Sequence, residues 1–324
     1  MAVVVFVNPG SRANRRDPAC AERFAKILGA QGRVAAPPSL EQLAIEAERT
    51  AADAPSVIGI HGGDGTLQRT LTALIAAYGA RPLPPIAVLP GGTMNVVAAS
   101  LNIRVKPEEL LAELAQAERD GLTPATIDRR CLRVGTEYGF IFGNGLLTNF
   151  LEEYYARGRY GTWRALWIIF RIVISILTTG RYAKRIFRRF RGRVRVDDQA
   201  LPQTHLTGIG AATVTEIGFR FKLHHRADDD PTRMEVLAIH GGPLALLRDV
   251  LDVRLGRGIS RKRATSILAS RLDITPEAAE SAYTLDGDLY NRRGPLAVEL
   301  GPTLHIVRPW RPGATKVLSS AQHP

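Results

Sequence analysis

Cysteine is scarce in this chain: only Cys20 and Cys131 occur among its 324 residues. Two cysteines exclude a disulfide-rich scaffold, and because neither lies in a CxxC or Cys/His cluster, a structural zinc site is not expected. No apolar run reaches the ~20 residues needed to cross a bilayer. The N-terminus lacks the basic start and the longer apolar core of a signal peptide, so we expect a cytoplasmic location.

Acidic residues are missing from residues 154–196, which contain no aspartate and no glutamate. The same window holds twelve lysines and arginines, a number equal to the formal net charge of +12. The rest of the chain is therefore neutral overall. A charge concentrated in one stretch indicates a surface for an anionic partner, either a membrane or a nucleic acid.

Residues 165–177 form an apolar run within this basic window, interrupted by one arginine. Nearby tryptophans and basic flanks are typical of a segment at a membrane interface, and a buried helix with basic ends is the alternative. The arginines after Gly180 favour the membrane, because a buried helix needs no such cluster. The aromatic residues lie among aliphatic ones, so no nucleic acid is expected as a partner. The residues predicted to contact the membrane are Trp163, Trp167, Arg171, Lys184, Arg185, Arg188 and Arg189.

Short apolar runs alternate with helical patterns along the first 126 residues. Runs at 3–7, 57–60 and 86–89 each end in a glycine-bearing turn, and a helical pattern follows. This repeat predicts an α/β fold with a parallel sheet. From about residue 127, short β-rich runs predict a mostly antiparallel β-sandwich that carries residues 154–196 as an insertion. We therefore predict two domains, 1–126 and 127–308, and a C-terminal tail, 309–324, able to pack back on the first domain.

The most informative motif is Gly62-Gly63-Asp64-Gly65-Thr66, which follows a predicted strand and begins a predicted helix. Its glycines let backbone N–H groups approach an anion, and the helix N-terminus adds positive potential, which together make a phosphate cradle. Asp64 inside such a cradle implies Mg²⁺ or a substrate proton to be removed. A plain tight turn is the structural alternative.

Two further loops are expected at the same sheet edge, where ligands bind in open α/β folds. Residues 8–11 end the first strand, and residues 90–95, Pro-Gly-Gly-Thr-Met-Asn, end another. Neither a P-loop nor a dinucleotide-binding glycine pattern is present. Late in the chain, Asp286-Gly287-Asp288 can place two carboxylates in one site, one as a base and one as a metal ligand. An Asp-Gly hairpin turn is the alternative there.

These motifs, in this order, resemble the diacylglycerol kinase catalytic family, the bacterial soluble lipid kinases related to sphingosine and ceramide kinases. The resemblance implies a nucleotide-binding α/β domain over 1–126 and a β-rich lipid-substrate domain over 127–308. It also implies that ATP and Mg²⁺ are used to phosphorylate the primary hydroxyl of a membrane lipid. The enzyme would then associate peripherally with the inner face of an anionic membrane.

Carried over onto this sequence, the resemblance makes Asp286 the general base on the lipid hydroxyl. Asp288 and Asp64 would hold Mg²⁺, and the roles of Asp64 and Asp286 can also be exchanged. The remaining loop residues would bind the nucleotide: Asn8, Pro9, Gly10, Ser11, Gly62, Gly63, Asp64, Gly65, Thr66, Gly92, Thr93 and Asn95.

The sequence departs from the family pattern at three places. Gln68-Arg69 stand where the family usually has Asn-Glu, Asp288 stands where it often has glutamate, and Asp229-Asp230 do not complete a metal-binding segment, so no metal is assigned there. The alternatives are an NAD kinase-like small-molecule kinase, whose TGSTAY-like loop is not found, and a non-catalytic membrane-binding protein on a kinase fold. The lipid and the oligomeric state, a dimer included, stay open.

Overall fold

The computed structural model describes residues 2–156, 161–178 and 180–309. It shows a mixed α/β architecture, with a parallel sheet in the N-terminal part and antiparallel sheets in the C-terminal part. The fold class predicted from the sequence is confirmed.

The N-terminal part is built on four parallel strands in the order β4-β3-β1-β2. β1 and β3 are buried almost throughout, because helices cover both faces of the sheet. The strands are β1 Val3–Val7, β2 Gly32–Ala35, β3 Val57–Gly62 and β4 Ile86–Pro90. The helices are α1 Arg12–Arg16, α2 Cys20–Leu28, α3 Leu40–Asp53, α4 Asp64–Tyr78, α5 Val96–Ser100 and α6 Pro107–Arg119.

Two elements of this part, β2 and α3, had not been predicted individually. Ser39 caps α3 by accepting a hydrogen bond from the Gln42 N–H at 3.2 Å, which is the serine-to-glutamine spacing of a capping box. The helical pattern predicted after β4 forms a helix that begins at Val96, because Asn95 before it has a left-handed backbone conformation.

The C-terminal part is a β-sandwich. One sheet is antiparallel, in the order β13-β12-β11-β7-β15-β16, and the facing sheet contains β10-β8-β14-β17 with β5, β6 and β9 attached. The strands are β5 Thr126–Val134, β6 Glu137–Gly139, β7 Ile141–Gly145, β8 Phe190–Val196, β9 Gln199–Ala200, β10 His205–Leu206, β11 Gly208–Ala212, β12 Met234–Ile239, β13 Ala264–Ala269, β14 Arg271–Pro276, β15 Glu280–Leu285, β16 Asp288–Arg293 and β17 Leu296–Val307. The core between the sheets includes Phe142 and Val236 from one side and Leu272 and Val298 from the other.

Five helices accompany the sandwich: α7 Leu146–Tyr155, α8 Thr162–Leu177, α9 Arg181–Ile186, α10 Pro243–Leu247 and α11 Val250–Arg254. The segment from α7 to α9 connects β7 to β8 and contains most of the basic window. Apolar side chains of α7 and α8 pack together around Tyr154, Ala165 and Ile168.

The last strand, β17, joins the two parts. It pairs antiparallel with β14 and β5 and, through Ile306, parallel with Ile86 of β4. The parallel sheet therefore continues into one sheet of the sandwich. The predicted boundary after residue 126 falls at the start of β5, and the division into two domains stays a prediction. The tail predicted to pack back on the first domain is residues 309–324. From residue 310 onwards, these residues lie outside the described part of the chain.

Candidate active site

Two glycine loops meet at the carboxyl edge of the parallel sheet. The N–H of Gly91 donates to the carbonyl oxygen of Gly62 over 2.8 Å, which joins the loop after β4 to the loop after β3. A Cβ atom at Gly92 would lie 2.4 Å from the Cα of Gly63. Because that neighbour is backbone, Gly92 is required for the two loops to approach each other.

The loop after β1 closes the same edge. The side-chain amide of Asn8 donates to Oγ1 of Thr66 at 3.0 Å, and its Oδ1 accepts the N–H of Gly10 at 2.9 Å. The N–H of Ser11 donates to the carbonyl oxygen of Asn8 at 3.1 Å. All three predicted loops are thus brought together, with Asn8 as their link.

A first cleft of about 460 Å³ opens beside these loops. Asn8, Gly65, Thr66 and Asp288 line it, whereas Pro9, Gly10 and Ser11 do not. The opposite wall of the cleft, which no sequence motif indicated, is formed by the loop before α3 and the start of that helix. Its residues are Pro37, Pro38, Ser39, Leu40 and Leu43. Of the predicted glycines only Gly65 lines this cleft, in the first turn of α4. A cleft with a helix N-terminus at one end and apolar side chains at the other suits a ligand with a phosphate and a flat apolar group.

Thr93 and Asn95 line a second cleft, of about 390 Å³, which shares no lining residue with the first. Asn95 accepts the N–H of Gly92 at 2.7 Å and donates to its carbonyl oxygen at 3.0 Å. Its side chain is therefore used to shape the loop.

Asp64 is the first residue of α4 and follows directly on the glycines of β3. Its Oδ1 accepts the N–H of Val97, at the start of α5, over 3.1 Å. Removal from water raises the pKa of this carboxyl above its usual value, and the N–H groups of Val96 and Val97 oppose that rise. The side chain thus ties the two glycine loops together from inside the site.

Asp286 lies in the two-residue turn between β15 and β16. Asp286 and Gly287 both have positive φ, 48° and 93°, so the Asp-Gly hairpin anticipated as the structural alternative does form. The carboxylate of Asp286 nevertheless points inward and is only 8% exposed. It accepts the N–H groups of Phe140 at 3.0 Å and of Ile141 at 2.8 Å.

Burial raises the pKa of Asp286 to about 8, and the negative charge of Asp64 also raises it. The N–H groups of Phe140 and Ile141 oppose this rise. The charge of Asp64 thus acts on Asp286, although the two residues lie more than 200 positions apart in sequence.

Asp288 faces the first cleft on the other side of the turn. Its carboxylate pairs with the guanidinium of Arg69 at 2.8 Å. The neighbouring Gln68 is buried, donates to Glu137 at 2.9 Å and accepts from the hydroxyl of Tyr290 at 3.3 Å. The two residues that depart from the family pattern after Thr66 thus both hold α4 against the sandwich.

The donors available for Mg²⁺ are hard carboxylate oxygens, the ligands that this ion prefers. Among the described residues, no group of three or more acidic, histidine or cysteine side chains is arranged to hold a metal by itself. The site therefore fits an ion held mainly by nucleotide phosphates, to which Asp288 and Asp64 would add one or two oxygens. The acidic segment 228–230 has other partners, because each aspartate lies beside an arginine: Asp228 and Arg129 at 2.9 Å, Asp229 and Arg226 at 3.1 Å, Asp230 and Arg233 at 3.7 Å.

The helix α8 has two apolar faces. Ala165 and Ile168 are buried against α7, whereas Trp163 is 85% and Trp167 58% exposed. The exposed face, which we name the α8 stripe, consists of Trp163, Leu166, Trp167, Phe170, Ile174 and Leu177. One face of α8 is therefore buried and the other is exposed, and the membrane contact of the exposed face stays a prediction.

The predicted membrane-contacting basic residues divide into two kinds. Arg171 and Arg185 pair with Glu153 and lie over the ring of Tyr182, at 4.1 and 5.4 Å from its centroid. Lys184, Arg188 and Arg189 are exposed. In β8, arginines 191, 193 and 195 also point outward, alternating with buried residues. Most of the basic window is thus surface.

A second exposed apolar group, missed by the sequence analysis, lies on α10 and α11. Leu251 is 72% and Leu255 65% exposed, and Leu244 is exposed as well. α10 lies directly beside α8. Exposed basic residues accompany these leucines: Arg248, Arg254, Arg257, Arg261 and Lys262. None of the helices in the described ranges combines the length and apolar character required to span a bilayer.

The comparisons with known proteins agree with this geometry. Residues 2–126 match the family model of the diacylglycerol kinase catalytic domain. A crystal structure of a diacylglycerol kinase from Bacillus anthracis str. Sterne superposes with a TM-score of 0.65 at 13% identity, covering 94% of this chain and 96% of that one. Another from the same organism, titled a "putative diacylglycerol kinase", gives a TM-score of 0.70 at 15% identity, covering 95% and 97%. No curated protein matches.

At 13% and 15% identity, the solved structures show that this chain shares their fold. The family match covers the parallel sheet and the loops after β1, β3 and β4. The family resemblance predicted from the sequence is therefore confirmed for residues 2–126, which match the diacylglycerol kinase catalytic domain, and the whole chain shares the fold of the solved structures.

Proposed function

We propose that this protein is an ATP-dependent lipid kinase, which transfers the γ-phosphoryl group to the primary hydroxyl of a membrane lipid of the diacylglycerol, ceramide or sphingoid-base type. The observation that carries the proposal is the two inward-facing carboxyls, Asp64 and Asp286, which are held by backbone N–H groups and lie one and two positions in sequence from Gly65 and Asp288, two residues that line the first cleft. A purely structural turn has no use for two desolvated carboxyls that repel each other.

The first cleft is the proposed nucleotide site. Gly65 and Thr66 lie in the first turn of α4, where free N–H groups and the helix dipole favour phosphate oxygens. Asn8 fixes the hydroxyl of Thr66 in this turn. The apolar wall before α3 is available for the base of the nucleotide.

The geometry favours Asp64, rather than Asp286, as the general base. Asp286 is nearly buried, and its oxygens accept the backbone N–H groups of Phe140 and Ile141. Asp64 also accepts backbone N–H groups, that of Val97 among them, but it is more exposed than Asp286. Burial raises the pKa of both Asp286 and Asp64. Because Asp64 is the more exposed of the two, we assign it as the base: in its ionised form it removes the proton from the lipid hydroxyl as that oxygen attacks the phosphoryl group. Asp286 is a positioning residue.

Bound Mg²⁺ would neutralise charge on the phosphates, and Asp288, which lines the cleft, would help to hold it. Arg69 keeps Asp288 at the cleft in the absence of the ion. Because phosphoryl transfer depends mainly on position and charge neutralisation, these contacts supply the kind of catalysis that the reaction requires.

The α8 stripe and the leucines of α10 and α11 are the proposed membrane contact. Exposed tryptophans and leucines surrounded by lysines and arginines suit the interface of an anionic bilayer. Such a contact would hold the enzyme peripherally at the inner face of the membrane, where its lipid substrate lies. The proposal includes no nucleic-acid partner.

The experiment measures ADP release with Mg²⁺ and mixed micelles that each contain one candidate lipid, with NAD as a separate acceptor. We expect turnover with at least one lipid, none with NAD, and loss of turnover in Asp64→Asn. Turnover with NAD alone would replace the proposal by a small-molecule kinase. Vesicle binding with no turnover on any acceptor would contradict the kinase proposal and would indicate a non-catalytic membrane-binding protein.

A further inference from the structure

The second cleft has no assigned ligand. It lies between the loop after β4, the helix α5 and the segment 216–220. At about 390 Å³, it is large enough for a lipid headgroup. Its lining includes Met94, Asn95, Val96, Glu216, Gly218 and Phe219.

The cleft contains a carboxylate without a partner. Glu216 is only 7% exposed, and no hydrogen bond or ion pair to its side chain exists within the part of the chain that the structure describes. Its backbone is held in place, because its N–H donates to Oγ of Ser100 at 3.1 Å. Its carboxylate oxygens are not among the buried side-chain atoms that lack a hydrogen-bond partner, so they are open to the cleft that Glu216 lines. A donor that arrives with a ligand can therefore reach them.

The backbone next to Glu216 is strained. Gly218, Phe219 and Arg220 have successive positive φ angles of 115°, 51° and 60°, which non-glycine residues rarely adopt. The N–H of Phe221 donates to the carbonyl oxygen of Gly218 at 2.9 Å, and Arg254 donates to that of Phe219 at 2.8 Å. Strain maintained by such contacts is common at ligand sites.

The cleft connects the membrane side of the molecule to the catalytic carboxyls. Met94 and Phe219 line it and also pack against the buried face of α8. At the other end, the loop that includes Asn95 and Val96 leads into Val97, whose N–H holds Asp64. A lipid that enters beside α8 would place its headgroup between Glu216 and the loop that positions Asp64.

We propose that the second cleft binds the headgroup of the acceptor lipid, and that Glu216 accepts a hydrogen bond from a donor other than the reacting hydroxyl. That donor is an ammonium, an amide N–H or a second hydroxyl. The inference rests on the proposed function and narrows it: a sphingoid base, a ceramide or a monoacylglycerol offers such a donor, whereas the single hydroxyl of 1,2-diacylglycerol is the one that reacts. A site built around a hydrogen bond discriminates strongly against an analogue that lacks it.

The test compares short-chain forms of these acceptors with 1,2-dioctanoylglycerol, by calorimetric binding without ATP and by phosphoryl transfer with Mg²⁺-ATP. The wild type is compared with Glu216→Gln and Glu216→Leu, and with Glu48→Gln, an exposed glutamate on α3, as the matched control. We expect at least one donor-bearing acceptor to be preferred over dioctanoylglycerol by about 100-fold or more. Glu216→Leu should abolish that preference, and the control should retain it.

Glu216→Gln distinguishes the donors, because its amide oxygen still accepts from a hydroxyl or amide N–H but loses the attraction to an ammonium. Equal binding of dioctanoylglycerol and the donor-bearing lipids, or a preference unaffected by Glu216→Leu, overturns the inference even when transfer occurs. Preferential binding without transfer on any lipid refutes the kinase proposal and leaves the headgroup site standing. Removing an unpaired charge should also raise the unfolding temperature of lipid-free Glu216→Leu; a lowered one indicates an internal partner and overturns the inference.

Discussion

Replacing Asp286 by asparagine should change the way in which the stability of this protein depends on pH. The pKa of Asp286 is raised from 3.8 to about 8 in the folded chain. Between these two values, the folded state binds a proton that the unfolded state releases. Stability therefore falls as pH rises, and the fall begins above the unfolded pKa and ends above the folded pKa. Asparagine carries no such proton, so the variant lacks this contribution.

The magnitude follows from the size of the shift. One proton difference changes the free energy of unfolding by about 1.4 kcal/mol per pH unit. From about pH 5 to about pH 7, Asp286 alone should therefore lower the stability of the wild type by on the order of 3 kcal/mol. Over the same pH range, the free energy of unfolding of the asparagine variant should fall by that much less. Its side-chain oxygen can still accept the N–H groups of Phe140 and Ile141, so it should fold.

Urea unfolding of the two proteins across this pH range measures the effect. Other titrating groups contribute to both curves, so the difference between them gives the contribution of Asp286 together with its effect on Asp64. Asp198→Asn, which alters an exposed aspartate in the turn after β8, is the control and should run parallel to the wild type. Parallel curves for Asp286→Asn as well would refute the view that this carboxyl is protonated at neutral pH.

Three further predictions concern catalysis, packing and the membrane. Asp64→Asn should lower kcat by about 10²-fold or more while Asp286→Asn lowers it less; the opposite order, in steady-state assays, returns the role of base to Asp286. Gly92→Ala places its Cβ 2.4 Å from the Cα of Gly63 and should lower stability by about 1–3 kcal/mol; an unchanged urea midpoint contradicts the close approach of the loops. Replacing Trp163 and Trp167 by alanine should weaken sedimentation with anionic vesicles by about tenfold or more without altering the melting temperature, and retained binding would remove α8 from the membrane contact.

The parallel sheet and its glycine loops could be predicted because their signals are local. β1 and β3 are uninterrupted apolar runs, and glycines follow each strand at the edge where ligands bind. The missed helix α3 also has a local signal, the Ser39 cap followed by Gln42. β2 has none, because four residues with one fully buried position show no periodicity.

The rest of the site depends on contacts between distant residues. The composition of residues 165–177 predicts a helix at an interface, but it cannot tell which face meets the protein, because both faces of α8 are apolar. Arg69 and Asp288 meet across the junction of the two parts, more than 200 positions apart in sequence. Glu216 has no recognisable motif, and its significance comes only from its burial beside the second cleft.

The central claim is that this chain moves a phosphoryl group from ATP to a lipid hydroxyl. The most direct measurement uses ATP labelled in the γ-phosphoryl group, Mg²⁺ and anionic mixed micelles, and follows the label into the extracted lipid. The account predicts a labelled lipid phosphate monoester with the wild type and none with Asp64→Asn. Label that leaves ATP only as inorganic phosphate, or that reaches no lipid at all, would contradict it.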